Sequence, residues 1–187
     1  MKIVQLIGTC PMNVRKTPAK VEGVERWCAN DPKTYMRVRF PEALKTWTRW
    51  FNVHSPEHIR QRHPQFMHWA KQQDGTRHIY TRDVTPDIPG NVVFPGPALQ
   101  RHFNDSYFTH QAAWLVAFAV YEGFERIELW GYQFGEGAMT ERKYAFERPC
   151  IQYWVGRARQ AGVEVITPPE ANLCHADYLY GYDGPPL

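Results

Sequence analysis

The sequence predicts an α/β fold in which helices cover both faces of a mostly parallel sheet. Three observations lead to this prediction. Short apolar segments alternate with helical patterns, one strongly apolar helix runs into a short apolar strand, and no linker divides the chain. At 187 residues the chain is long enough for one substantial core. We therefore expect a single domain over residues 1–187, built as a three-layer sandwich.

The strongest pattern runs from Asn104 to Phe134. Residues Ala112–Val120 are apolar nearly all round, which is typical of a helix covered on several sides. The residue types that favour a helix N-cap precede them, namely Asn104, Asp105 and Ser106. The helix is therefore expected to begin between Asp105 and Thr109.

A turn and a strand follow this helix. Gly123 suits the C′ position of the helix, and Arg126–Trp130 is a short apolar-rich segment. A buried helix that feeds a buried strand is half of a βαβ unit. In such sheets ligands bind at the carboxyl ends of the strands, and anions favour helix N-termini. The segments Asn104–His110 and Gly131–Glu136 are therefore the expected places for binding or catalysis.

Apolar, β-rich segments elsewhere predict the remaining strands. These segments are Lys2–Ile7, Val24–Ala29, Arg49–Val53, His78–Thr81, Asn91–Phe94 and Val163–Ile166. Helical spacing marks Tyr144–Ala161, and a shorter helical stretch lies near Pro41–Thr48. The resulting alternation of strands and helices predicts a Rossmann-like arrangement.

Three candidate site residues or loops follow predicted strands. The Gly8–Asn13 loop stands where a nucleotide-binding fold faces phosphate, but it contains only one glycine and fits an ordinary strand-to-loop turn equally well. Asn30 either forms a turn before Asp31-Pro32 or bonds a ribose or base. His54 is either a hydrogen-bonding loop residue or a general base, because imidazole titrates near neutral pH.

Composition narrows the class of partner. No apolar run is long enough to cross a bilayer and the N-terminus lacks a signal-peptide pattern, so we expect a cytoplasmic protein with no membrane partner. The net charge of +3 is spread over a mixed surface, which makes nucleic acid a weakly supported partner. The four cysteines lie far apart without a CxxC pair, so the thiols are expected to be reduced.

Metal and cofactor motifs are absent from the sequence. There is no GxxxxGK[ST], HExxH, GxSxG or DxD pattern, so no cofactor is expected. His58, His63 and His68 are five residues apart, and that spacing places neighbours about 140° apart around one helix. Pro64 also interrupts the segment. On this basis we expect no metal site.

The segment YFTHQAAWLVAFAVYEGFERIELWGYQF, Tyr107–Phe134, is similar to one in bacterial CMP-sialic-acid transferases. There a Thr-Ser pair opens a helix, followed by a glycine, a short strand and a Gly-x-Asp. The chain also resembles Rossmann-like proteins related to the archaeal hydroxymethylpterin diphosphokinase, including small phage proteins of that superfamily. Supporting matches are the Gly8 loop, Asn30, FNVH at Phe51–His54, and Arg148–Pro168.

The resemblance implies a nucleotide facing the first-strand loop, Asn30 and Thr109. Three positions differ from the sialyltransferase pattern. The loop reads Gly8-Thr9-Cys10-Pro11-Met12 in place of Gly-x-Gly-Pro-Ser, His110 replaces the serine of Thr-Ser, and Gln133 replaces the aspartate of Gly-x-Asp. The histidine that those enzymes keep after Gly-x-Asp also has no counterpart before Cys174.

We therefore expect a nucleotide-dependent transferase that is glycosyltransferase-like, metal-independent and of phage type. Its ligand would be a nucleotide or nucleotide sugar, and His54 or His110 would be the general base. The expected nucleotide-binding residues are Gly8, Thr9, Asn13, Asn30, Thr109 and Gln133. The alternative is a non-catalytic protein that binds or sequesters a nucleotide derivative, and a structural interaction module is a third class. The acceptor and the oligomeric state are left open by the sequence.

Overall fold

A computed structural model of the chain describes residues 1–134, 141–176, 179 and 182–183, without the side chains of 141–144. In this described part of the chain, seven strands form one parallel sheet in the order β5-β4-β3-β2-β1-β6-β7. The strands are β1 Ile3–Ile7, β2 Val24–Ala29, β3 Arg49–Asn52, β4 His78–Thr81, β5 Asn91–Val93, β6 Arg126–Trp130 and β7 Glu164–Ile166.

The helices cover both faces of this sheet, as predicted. They are α1 Pro32–Arg37, α2 Ala43–Thr46, α3 Pro56–Arg62, α4 Pro64–Lys71, α5 Gly96–Phe103, α6 Gln111–Tyr121 and α7 Glu141–Gln160. Helices α1 to α4 pack on one face, and α5 to α7 pack on the other. This confirms the predicted Rossmann-like, three-layer α/β fold. No helix among the described residues combines the length and apolar character needed to span a bilayer.

The alternation of side chains along β1 explains how one strand supports both layers. Val4 and Leu6 belong to the core beneath α6 and α7, whereas Ile7 belongs to the core beneath α1 to α4. Leu115 in α6 and Ile127 in β6 are fully buried, and Ile3 is only half-buried as the first residue of β1.

A polar group is buried on the α1–α4 face, toward the amino ends of the strands. The Arg26 side chain is fully buried and donates from Nε and Nη2 to Gln5 Oε1, at 3.0 and 2.8 Å. Its Nη1 donates to Thr46 Oγ1 at 2.6 Å, and its Nη2 also donates to the Pro18 carbonyl at 2.7 Å. Burying a guanidinium is tolerated when its donors are satisfied, and four of the five N–H donors of Arg26 are hydrogen-bonded here.

The predicted start of the central helix is wrong. Helix α5, which the sequence did not predict, ends at Phe103, and its C-cap Asn104 has a left-handed backbone with φ 49°. Asp105 then accepts hydrogen bonds from the Tyr107 N–H at 2.8 Å and from Arg157 Nη1 at 2.6 Å. Helix α6 begins only at Gln111. Polar residues that suit an N-cap serve here to end one helix and to anchor a loop to α7.

Replacing Leu115 by alanine tests the packing of α6 on the sheet. Leu115 is fully buried, so Leu115→Ala is expected to lower the free energy of unfolding by roughly 2–5 kcal/mol, measured by urea denaturation. Tyr121→Ala, at a 46% exposed position on the same helix, is the matched control and should change it by less than about 0.5 kcal/mol. Equal losses in the two variants would contradict this packing.

Candidate functional site

The carboxyl ends of β1 and β6 are in direct backbone contact. The Gly8 N–H donates to the Trp130 carbonyl at 2.7 Å, and the Cys10 N–H donates to the Gly131 carbonyl at 2.7 Å. A Cβ atom on Gly8 would overlap the Gly131 carbonyl oxygen, and Gly131 itself has φ +75°. Glycine is therefore required at both positions for two different reasons, one steric and one conformational. The strand order reverses between β1 and β6, since β2 to β5 lie on one side of this point and β7 lies on the other. Ligands of α/β folds bind at such a reversal.

Side chains of the two loops reinforce this contact. Asn13 is buried and donates from Nδ2 to the Tyr132 carbonyl at 2.6 Å, and the Cys10 thiol donates to Gln133 Oε1 at 3.0 Å. Asn13 and Gln133, both predicted to bind a nucleotide, thus hold the two loops together. Thr9, between Gly8 and Cys10 in the first of these loops, is half-buried.

A buried tyrosine connects the ends of β1 and β2. The Tyr35 hydroxyl donates to the Ile7 carbonyl at 2.8 Å and accepts from the Ala29 N–H at 2.9 Å. Burial raises the pKa of Tyr35 well above its usual value, so the hydroxyl keeps the proton that it donates. This residue was not predicted from the sequence, because nothing in the pattern around a tyrosine in a short helix indicates that it bridges two strand ends.

Asn30 and His54 meet at the next strand ends. Asn30 leaves β2 with φ 69°, and its N–H donates to the Phe51 carbonyl at 2.9 Å. Its Oδ1 lies 3.3 Å from His54 Nε2. Asparagine tolerates the left-handed backbone region better than most residues, which explains its presence at this turn. The two residues that the sequence placed after β2 and β3 are therefore in contact.

The N-terminus of α6 reaches the same place. Gln111 donates from Nε2 to the Phe51 carbonyl at 3.1 Å, so one carbonyl at the end of β3 receives bonds from both Asn30 and Gln111. Gln111 Oε1 is buried without a hydrogen-bond partner among the described residues. Gln111 was not predicted as a site residue, because α6 was expected to begin earlier, between Asp105 and Thr109.

Thr109 and His110 are directed toward α7. The Thr109 hydroxyl donates to the Phe146 carbonyl at 2.8 Å, and the Thr109 N–H donates to Cys150 Sγ at 3.2 Å. His110 Nδ1 accepts from the Ala112 N–H at 3.0 Å, which makes His110 the N-cap of α6. Its Nε2 lies 3.9 Å from Glu147 Oε2. Both residues have structural roles beside the loop after β6, of which Gly135 and Glu136 lie outside the described residues.

Three histidines cluster where β3 leaves the sheet. His54, His58 and His63 each offer a ring nitrogen, and these nitrogens lie within 4.8 Å of one another. The argument from a single helix is wrong for His58 and His63, because α3 ends at Arg62 and α4 begins at Pro64. His63 occupies the corner between the two helices, with ψ 51°, and its ring turns back toward the sheet.

The environment of His63 favours its neutral form. Burial lowers the pKa of His63, the nearby His58 lowers it further, and the charge of Asp31 partly opposes both effects. His63 Nδ1 lies 3.2 Å from Oδ1 of Asn52, a fully buried residue of β3. A neutral imidazole at this position keeps one nitrogen lone pair available.

A cavity of about 380 Å³ opens beside His54. Helices α3 and α4 and the segment after β4 form its walls, and the polar lining includes Thr81, Arg60, Lys71 and Arg82. Of the predicted site residues only His54 lines it. The carboxyl edge of the sheet thus has two regions that meet at His54: the strand exits around Gly8 and Asn30, and this cavity.

Comparison with known proteins gives fold neighbours only. No protein-family model matches the chain, and no curated protein sequence matches it. The sialyltransferase CstII from Campylobacter jejuni, solved with the substrate analogue cytidine-5'-monophosphate, aligns with a TM-score of 0.55 at 12% identity, covering 96% of this chain and 88% of that one. A structure of CstII with CMP-3FNeuAc aligns with a TM-score of 0.51 at 14% identity, covering 93% and 82%. At such identities the likeness establishes a shared fold.

The contact between β1 and β6 can be tested with glycine variants. Gly8→Ala is expected to lower the free energy of unfolding by about 1–3 kcal/mol, because the added methyl group meets fixed backbone. Gly156→Ala in α7 is the control, since a Cβ there meets nothing within 4 Å and should stabilise the helix by about 0.5–1 kcal/mol. Urea denaturation measures both, and a stable Gly8→Ala variant would show that the two strand ends can separate.

Proposed function

We propose that the protein transfers a group from a nucleotide-activated donor, of the nucleotide-sugar class, to an acceptor held in the cavity beside His54. The observation that supports this most strongly is the position of His54. It lies 3.3 Å from Asn30 at one strand exit and also lines the adjacent cavity. A reactive imidazole between two binding regions suits transfer from one ligand to another.

In this proposal the donor nucleotide binds along the exits of β1 and β2. Gly8, Thr9 and Asn30 follow these strands beside the reversal of chain direction, where α/β folds bind nucleotides. The fold neighbours were solved with CMP and a CMP-sugar analogue, which makes a cytidine nucleotide the first donor to test. The kinship to phage proteins and to the archaeal hydroxymethylpterin diphosphokinase stays a prediction of the sequence.

The chemistry assigned to His54 is general base catalysis. His54 takes the proton of an acceptor hydroxyl as the oxygen attacks the activated carbon of the donor. The bond from that carbon to the phosphate oxygen breaks, and the nucleotide leaves with the electron pair. His54 is favoured over His110 because His110 Nδ1 already caps α6. This step needs no oxidant or reductant.

Replacing Asn30 tests the proposed nucleotide site at the exits of β1 and β2. CMP is expected to raise the melting temperature of the protein, because a ligand of the native state stabilises it. Asn30→Gly preserves the left-handed backbone and removes the amide, so it should weaken CMP binding by about 2- to 13-fold, the equivalent of one hydrogen bond. Calorimetry should show unchanged binding in the control Asn104→Gly, which replaces another left-handed asparagine at the end of α5. Equal CMP affinity in wild type and Asn30→Gly would remove Asn30 from the site.

His54→Gln and His110→Gln test the catalytic step. Loss of a general base is expected to reduce donor consumption by about 10²–10⁴-fold with nearly unchanged nucleotide affinity. The exposed His102→Gln is the control. Mass spectrometry of CMP-sugar consumption and calorimetry on the same preparations separate rate from affinity. Full activity in both variants would exclude a base role for either histidine.

The same measurements separate an enzyme from a binding protein. Tight binding without any donor consumption by the wild type would favour the sequestering protein. That alternative is supported by Gln133, which stands where the sialyltransferase pattern has a carboxylate and which here accepts a bond from Cys10.

A further inference from the structure

We propose that His54, His58 and His63 form a binding site for a divalent transition-metal ion of the zinc type. The three residues come from the exit of β3, the first turn of α3 and the corner between α3 and α4. Their ligand nitrogens lie within 4.8 Å of one another. This departs from the sequence-based expectation of a protein without a metal, which assumed one continuous helix.

The donor set determines the kind of ion. Imidazole nitrogen suits zinc, copper and nickel, whereas calcium and magnesium prefer oxygen. The cluster found among the described residues contains three imidazoles and neither a carboxylate nor a thiolate. Three protein ligands leave a fourth position of a tetrahedral zinc ion open to water or to another ligand.

Binding requires a small closure of the cluster. Two nitrogens on one tetrahedral zinc ion lie about 3.3 Å apart, given zinc–nitrogen bonds of about 2.0–2.1 Å. The rings of His54 and His58 are stacked with centroids 4.2 Å apart, and His58 is exposed on the surface of α3. Rotation of the exposed His58 side chain can therefore bring its nitrogen toward the other two without moving the buried backbone of β3.

Two of the rings have a hydrogen-bond partner on one nitrogen, as metal-binding histidines usually do. His63 Nδ1 faces Asn52 Oδ1 at 3.2 Å, and His54 Nε2 faces Asn30 Oδ1 at 3.3 Å. When these nitrogens carry the protons and donate to the amide oxygens, His54 Nδ1 and His63 Nε2 keep the lone pairs that an ion requires. Partners of this kind fix the orientation and tautomer of ligand histidines.

The open position would lie close to the cavity that His54 lines. Coordination and the base role assigned to His54 cannot operate at the same time, because a neutral imidazole has one nitrogen lone pair and coordination uses it. Metal binding is therefore measured on the full chain without nucleotide, and its outcome does not depend on whether the protein is a transferase.

The experiment titrates metal-free full-length protein with Zn²⁺ alone by calorimetry, and with Co²⁺ while its visible absorption is recorded. The expected result is one ion per chain, with the absorption of a nitrogen-ligated, low-coordinate cobalt ion. His58→Ala and His63→Ala should each weaken binding at least about tenfold, the lower limit for loss of an outer-shell partner. His58 is exposed, so His58→Ala leaves the fold intact even if His63→Ala does not.

His68→Ala is the matched control. His68 is exposed on α4, lies outside the cluster and contacts Gln72 through Nε2. Unchanged affinity in His68→Ala together with weakened affinity in His58→Ala supports the site. The proposal is overturned if Zn²⁺ does not bind, if His58→Ala binds as tightly as wild type, or if His68→Ala loses as much affinity as the cluster variants.

Discussion

The backbone contact between Gly8 and Gly131 determines the shape of the edge at which ligands are expected. β1 lies between β2 and β6, and its carboxyl end must leave the sheet beside that of β6. The loops that follow the two strands lie within hydrogen-bonding distance of each other there. Only glycine permits this approach at position 8, because a Cβ atom would overlap the Gly131 carbonyl oxygen. Polar side chains of both loops then bond across the contact. Asn13 and Gln133 are thus engaged in hydrogen bonds across this contact, whereas Asn30 and His54 lie further along the edge, at the exits of β2 and β3.

Tyr35 and Phe51 connect the neighbouring strand ends further along the same edge. The Tyr35 hydroxyl bridges the ends of β1 and β2, while the Phe51 carbonyl receives bonds from Asn30 and Gln111. The aromatic rings of both residues are buried in opposite layers of the core. Hydrophobic burial on the two faces thus holds the polar groups of the edge in place. A change in either core layer is expected to reach the candidate site through these two residues.

The sequence predicted the sheet well because buried parallel strands are short, apolar and β-rich. Val24–Ala29, His78–Thr81 and Arg126–Trp130 match the observed strands residue for residue. The helices between them were harder, since α1, α3 and α5 begin at prolines or glycine and their short lengths give a weak periodic signal. Asn30 and His54 were predicted as site residues because each follows a strand. Tyr35, Asn52 and Gln111 were missed because their roles depend on contacts with distant carbonyls or rings.

The change of direction at His63 shows why spacing alone misjudged the histidines. On one continuous helix, His58 and His63 would point about 140° apart. Pro64 cannot continue the hydrogen bonding of α3, so the chain turns at His63 and starts a new helix. That turn brings His63 back to β3, where Asn52 and His54 lie. Meanwhile Thr109 and His110 are engaged with α7 and with the cap of α6. The clustered histidines of this edge therefore lie at the exit of β3, whereas the resemblance to the sialyltransferases implies a nucleotide at Thr109, beside the start of α6.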